Sequence, residues 1–223
     1  RRQRQMCIRD SIYINDVSML KMGWIRENVE FPIPESQTEA VVVPGRNAPI
    51  RFSEALGMVS FKPRAFTITL SMLGTRSDFD EKVKIMSNQY AGRLCKVRKS
   101  EELSLYAVGT LQLTPSYDPL TGKGQLVMEC TDGDSYRYHV DMTEIVQNGS
   151  ETVILKNDYM PVVPTVITTA DTTLSWKIAE DSFRKTLSAG EWELPELQLT
   201  YGENAVKVEG SGMTTFRYRE GCL

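Results

Sequence analysis

Histidine is almost missing from this chain: among 223 residues only His139 is present. A hydrolytic triad would have to be built on that one imidazole, and so would any histidine-bearing metal site. His139 lies in the alternating run DSYRYHV, beside Tyr136 and Tyr138. A strand or hairpin residue is the ordinary reading of that context. The four cysteines, Cys7, Cys95, Cys130 and Cys222, form no CxxC pair. They read as reduced, partly buried thiols, not as zinc ligands. No apolar run approaches the roughly 18 residues of a membrane helix, and no secretory apolar region is seen. A cationic excess is lacking too. Lys plus Arg number 26 against 29 acids, the formal charge is −3 and mean hydropathy is −0.30. Nothing here gives a general pull on nucleic acid.

Chemical motifs fail on inspection. DGDSYRYHVDMTE opens like a calcium loop with Asp132 and Asp134, but Tyr136, Arg137 and Thr143 occupy positions that need an oxygen ligand, glycine and glutamate. LTGKGQ lacks the spacing of a phosphate loop, so Lys123 reads as a solvated turn residue. Asn148-Gly149-Ser150 fits a glycosylation sequon and reads more simply as an Asn-Gly turn. No catalytic residue, cofactor or metal is expected, and the chain reads as a non-enzyme.

What is present is ordinary globular composition, 41% hydrophobic and 25% charged, with room for one large domain or two small ones. The opening RRQRQMCIRDS has no methionine at position 1 and four arginines in its first nine residues. It reads as a sequence-end artefact or a disordered basic arm, so residues 1–11 stand outside the fold reading. From Ile12 strand signals dominate. FTITLSM (66–72) alternates Phe66, Ile68, Leu70 and Met72 against Thr67, Thr69 and Ser71. SLYAVGTLQLT (104–114) keeps Leu105, Ala107, Leu111 and Leu113 in phase. QLVMECT (125–131) follows a Gly-rich turn, and the pair predicts an antiparallel hairpin.

One segment differs. RSDFDEKVKIMSNQYAGR carries Phe79, Val83, Met86 and Tyr90 on a single stripe. The spacing predicts a helix over about 77–91, capped by Ser77, with Asp80 and Glu81 in its first turn and Gly92 as the stop.

After about His139 short β-rich runs recur at 151–155, 162–169, 173–178, 183–187, 196–200, 204–210 and 214–219. Gly and Pro breaks separate them, as in a β-sandwich. The chain is therefore expected to be mainly β: an α+β unit at 12–140 with one helix, and an all-β unit at 141–223. Trp176, in phase with Leu174 and Ile178, reads as core, while Trp192 in GEWELP and Tyr201 are candidate platforms for a sugar ring or partner.

The ordered series IYINDV, VVVPGRNAPI, RFSEALG, FTITLSM, the acidic helix ending at Gly92, LCKVRK, MECTDGDSYRY and the tail LSAGEWELPELQLTYGENAVKVEGSGMTTFRYREGCL resembles the distal tail protein (Dit) family of long-tailed bacteriophages. It covers nearly the whole chain from Ile12. One departure is visible: Ala48-Pro49 stands where the family often has glycine after its PGR-[ND] turn. The resemblance implies a first domain similar to the tail-tube fold and a galectin-like second domain. It implies a homo-hexameric ring at the virion's tail tip, assembled in the host cytoplasm, with the tail tube protein and the tail-associated tip protein as partners. Receptor-binding proteins or a host-surface saccharide would attach at the periphery. Neither specific nucleic-acid binding nor membrane insertion is expected.

On this reading the stretch 38–54, with Val42, Val43, Pro44, Gly45, Arg46 and Asn47 at its centre, is an arm that adds to a neighbour's sheet edge. Two rival readings are a carbohydrate-binding or lectin-like adhesion module built on Trp192 and Tyr201, and a tail-tube subunit.

Overall fold

The computed structural model describes residues 11–37, 40–41, 44–45, 47, 50–51, 59–178 and 180–223, with the backbone alone at 40, 50 and 51. The chain divides into two compact units: residues through Arg137, with Leu223, and Tyr138–Cys222. It is mainly β, with antiparallel ladders and a single helix among the described residues.

In the first unit the elements are β1 (Ile12–Ile14), β2 (Val17–Ser18), β3 (Ile25–Glu30), β4 (Ala40–Val41), β5 (Ile50–Arg51), β6 (Arg64–Leu73), α1 (Arg76–Tyr90), β7 (Leu94–Lys99), β8 (Leu105–Thr110), β9 (Gln112–Asp118) and β10 (Lys123–Gly133). Strands β2, β1, β7 and β8 follow one another in one sheet, and β3, β6, β10 and β9 form another. Alternation decides the core. Phe66, Ile68, Leu70 and Met72 are buried, and Cys130, Met128 and Leu126 of β10 stand opposite the first three in register. Each such side chain contributes about 1.5–3 kcal/mol on burial. Ile12, Ile14, Met19, Trp24, Val97 and Ala107 belong to the same cluster, together with Phe79, Met86 and Tyr90 of α1. The predicted helical stripe is thus the buried face, with Val83 partly buried beside it.

Two local expectations need correction. The run 104–114 is not one strand. β8 ends at Thr110, the fully buried Leu111 bridges in parallel to Ala91, and β9 then pairs with β10 from Asp118↔Lys123 to Gln112↔Glu129. The period-2 phase runs straight through Leu111, so the change of sheet leaves no mark on the pattern. The helix cap is Thr75, not Ser77. The Thr75 hydroxyl accepts from Asp78 N at 3.2 Å, and Asp78 accepts from Thr75 N at 3.3 Å. That reciprocal box satisfies two orphan donors. Asp80, which a Ser77 box would need, is held by Arg76 at 2.9 Å instead. At the other end Ala91 turns extended before Gly92, at φ 67°, donates to Leu111 O. Gly124 is needed for packing: a Cβ there would stand 2.2 Å from the Phe79 ring.

β11 (Arg137–His139) crosses the boundary. The second unit then holds β12 (Thr143–Asn148), β13 (Glu151–Asn157), β14 (Thr165–Thr168), β15 (Thr172–Ile178), β16 (Asp181–Leu187), β17 (Gly190–Glu193), β18 (Gly202–Gly210), β19 (Met213–Tyr218) and β20 (Gly221–Cys222). Two four-stranded sheets, β12-β19-β14-β17 and β13-β18-β15-β16, enclose a core that includes Leu155, Val166, Leu174, Val206 and Phe216. Trp176 is in it, stacked on Phe183 with centroids 5.5 Å apart and donating from Nε1 to Glu196 O at 3.0 Å. The run 196–200 is not a strand. It makes one bridge, Val162↔Leu199, while Leu194, Leu197 and Leu199 are buried. Buried residues two apart mimic a strand, but Pro195 and the Leu197 N to Leu194 O turn keep the segment out of a ladder. β12 and β17 had too little apolar alternation to be expected.

Candidate functional site

The expected arm is anchored by a residue that the alternation itself flags. Arg64 occupies the inward phase of β6, two residues before Phe66, and is 1% exposed. Its guanidinium donates to Pro32 O at 2.6 Å and to Ser135 O at 3.0 Å. Carbonyl acceptors on a buried, permanently charged fork are what such a position requires. Ser135 Oγ lies 2.9 Å from Lys62 O. Above this knot the chain leaves and returns as a short ribbon. Gln37 N donates to Ser60 O, Lys62 N to Glu35 O, and Ser36 bridges Phe61. Lys62 and Glu35 also pair at 2.7 Å.

Beyond the ribbon, β4 and β5 pair with each other, Ala40↔Arg51 and Val41↔Ile50, and with no other described strand. Pro44 and Gly45 form a turn with Gly45 at φ 83°, and Pro44, Gly45 and Asn47 are exposed. Val42, Val43 and Arg46 lie outside the described residues, as does Cys7.

A second surface was not foreseen: the open face of the sheet β3-β6-β10-β9. Its register sets three rows, Glu30–Thr67–Glu129–Gln112, Asn28–Thr69–Val127–Thr114 and Ile25–Ser71–Gln125–Ser116. Hydroxyls and amides dominate these three rows, with two carboxylates; the next row of the same face, Leu73–Lys123–Asp118, brings a cation, which is paired with Glu27. The edge strands of this sheet carry devices against stray pairing: a bulge between Arg26 and Asn28 in β3, and Pro115 in β9.

The platform residues are not brought together. Trp192 is on edge strand β17, 38% exposed, with Nε1 donating to Ser188 O at 3.0 Å. It pairs with Val166, so it shares the core-side phase of its sheet. Tyr201 is 77% exposed and precedes β18 of the other sheet. The outward rows of the sandwich carry Glu144, Arg217 and Thr165 on one sheet, and Thr152, Lys207, Ser175 and Arg184 on the other. None of these is an aromatic platform.

Groups with chemical potential are held in structural roles. Burial pushes the Cys130 thiol up to about 11 and raises that of Cys95, which keeps both protonated and poorly nucleophilic. The Asp132 carboxylate accepts from Thr110 N at 2.9 Å, which holds it below the usual range. Lys123 is not simply solvated; it pairs with Glu27 at 2.5 Å. The His139 ring packs 4.4 Å from that of Tyr159. Among the described residues no group of three or more His, Cys, Asp or Glu converges, and no helix is long and apolar enough to cross a membrane.

No family model matches the sequence, and no curated protein matches it. Among solved structures it is similar to the "SPP1 Dit (gp 19.1) Protein, a Paradigm of Hub Adsorption Apparatus in Gram-positive Infecting Phages", with a TM-score of 0.65 at 10% identity. The match covers 94% of this chain and 98% of that one. With so little identity the likeness speaks for architecture, and across nearly its full length this chain has a Dit-like fold.

Proposed function

We propose that the chain is a phage distal tail, or baseplate hub, protein: a structural ring subunit joining the tail tube to the tip and its receptor-binding apparatus. The carrying observation is the fold likeness to SPP1 Dit over almost the whole of both chains. Two surfaces support it. The arm presents a β-ladder with no sheet of its own to complete, which suits a subunit that closes head-to-tail on copies of itself. The polar rows of the first unit's sheet, whose cation Lys123 is paired with Glu27, suit a channel wall that lets DNA pass without gripping phosphate. The protein works as an assembly part and catalyses no reaction. Its place is the virion's tail tip, after assembly in the host cytoplasm. Its partners are itself, the tail tube protein and the tip protein, with receptor-binding proteins or a surface saccharide at the second unit.

Light scattering and electron micrographs of the purified chain test this. Closed single or paired rings, at about six copies of the 25.2-kDa chain per ring, are expected. Long stacked tubes would move the assignment to a tail-tube subunit. A persistent single subunit that binds a glycan array would move it to an adhesion module. Pro44-Gly45→Ala-Ala sharpens the test: Gly45 sits at φ 83°, where alanine is strained. Assembly should weaken more than the monomer's melting temperature falls.

A further inference from the structure

The two outer faces of the second unit differ in charge. On the sheet β13-β18-β15-β16 the outward phase carries Lys156, Lys177, Arg184 and Lys207 against Glu203 and Glu209. On β12-β19-β14-β17 it carries Glu144, Glu191 and Glu193 against Arg217. Several of these charges are paired within the unit: Lys156 with Asp158, Arg184 and Lys207 with Glu209, and Arg217 with Glu144. Lys177 on one face and Glu191 and Glu193 on the other are exposed, and their side chains make no ion pair among the described residues. Each face also exposes an apolar side chain at its edge, Ile154 at 48% on the cationic one and Val146 at 49% on the acidic one.

Connectivity puts these features in the same order. Short links join β12 to β13, β19 to β18, β14 to β15 and β17 to β16, so the strand order of one sheet matches that of the other. Across the acidic face one row runs Val146–Thr215–Ile167–Glu191, from apolar to acid. Across the cationic face Ile154 stands opposite Ala205, and Lys177, one step past the Trp176↔Val206 pair, stands opposite Ser182. Stacking one sandwich on a copy by translation therefore sets the strand of Val146 over that of Ile154. The strand of Glu191 then lies one strand, about 4.8 Å, from that of Lys177. Such a contact is heterologous and joins unlike charge, whereas a two-fold contact would face each sign with itself. Area limits what it does alone. Four strands of about six residues cover about 400 Å² per face. About 800 Å² for both falls short of the roughly 1,200–2,000 Å² of a stable complex, so the contact forms where copies are already held together. We propose that the cationic face of one second unit docks on the acidic face of the next copy's second unit, Lys177 toward Glu191 and Ile154 toward Val146. The inference rests on the ring reading for the proximity of copies and adds a contact between their second units.

Cross-linking tests it. In the full chain with Cys7→Ser and Cys222→Ser, Val146→Cys is combined with Ile154→Cys and treated with a bis-maleimide too short to span one sandwich. Cross-links between chains, laddering on a denaturing gel, are expected, while Val146→Cys alone and Ile154→Cys alone should stay single chains. In the doubly cysteine-bearing background, Lys177→Glu or Glu191→Lys should slow cross-linking at least about threefold. Both together should restore it, because the opposed signs are then exchanged. All four positions are exposed, so each variant should melt within a few degrees of the parent. Absence of the ladder overturns the proposal, as do dimers formed by either single cysteine, charge variants that cross-link at the parent's rate, or an exchanged pair that fails to recover. Rings seen by light scattering without the ladder defeat this contact alone. A ladder from a parent that never closes rings defeats the ring reading and leaves the contact standing.

Discussion

The two units solve one problem in two ways. Both bury one face of each strand, but the second closes on itself: two four-stranded sheets enclose Trp176 and its neighbours, and the outward rows mix charged and small polar residues with exposed Val146, Ile154 and Met213. The first unit leaves features unspent: a groove beside α1, a largely polar sheet face, and a ladder that joins no other described strand. Core chemistry does not separate them, since aliphatic, aromatic and sulfur side chains fill the first and aliphatic and aromatic ones the second. Exposed apolar side chains do not separate them either, since both units carry them; what separates them is the β4–β5 ladder, which joins no other described strand and on which the proposed assembly role draws.

That contrast can be broken from either side. The largest effect belongs to the closed unit. Trp176→Ala removes the Phe183 stack and the bond to Glu196 O, and should cost about 3–5 kcal/mol. Hydrogen exchange should accelerate across residues 143–218, and an unchanged exchange rate there would contradict the core placement. Next comes Gly124→Ala, whose new methyl meets the Phe79 ring, at about 1–3 kcal/mol. Denaturant melts should show it, with the loss of protection confined to the first unit. Thr75→Ala removes the capping box at about 1 kcal/mol, and Thr75→Ser should restore most of that. Ser77→Ala, by contrast, should be nearly silent.

The smallest effect is a pH dependence. A hydrogen bond from Arg26 holds the Glu101 carboxyl at about 2, well below its ordinary value near 4.5. A carboxylate with a depressed folded-state pKa stabilises the fold above its unfolded value, so this contribution is complete above about pH 4.5 and is lost as pH falls toward 2. Glu101 is 40% exposed, and solvent screening limits the effect to about 1 kcal/mol or less. Glu101→Gln should flatten the acid limb of a stability-versus-pH curve by that amount. An unchanged limb would remove the pair from the account.

How much could be read beforehand varied by element. The FTITLSM strand, the Phe79–Tyr90 stripe and the Trp176 core position follow from periodicity, because burial of one face is a property of a short run of residues. The break at Leu111, the loop at 196–200 and the Thr75 cap do not follow. In each case two local solutions fit the same residues; distant atoms chose for the first two, Ala91 against Leu111 and Val162 against Leu199, while for the cap a competing neighbour, Arg76, took Asp80. Arg64 was visible as a charge in an apolar phase, though its acceptors, 32 and 71 positions away, were not. The groove gave no signal at all, since Met22, Met72 and Ile85 come from three separate segments.

By itself the sequence determined which side chains turn inward and where most turns fall, since these depend on residue type and on spacings of two to four. Only the tertiary structure decided which strands share a sheet, which faces stay open and where an apolar hollow forms. Those depend on contacts between segments far apart in the chain, and a period of two is the same whichever partner lies alongside.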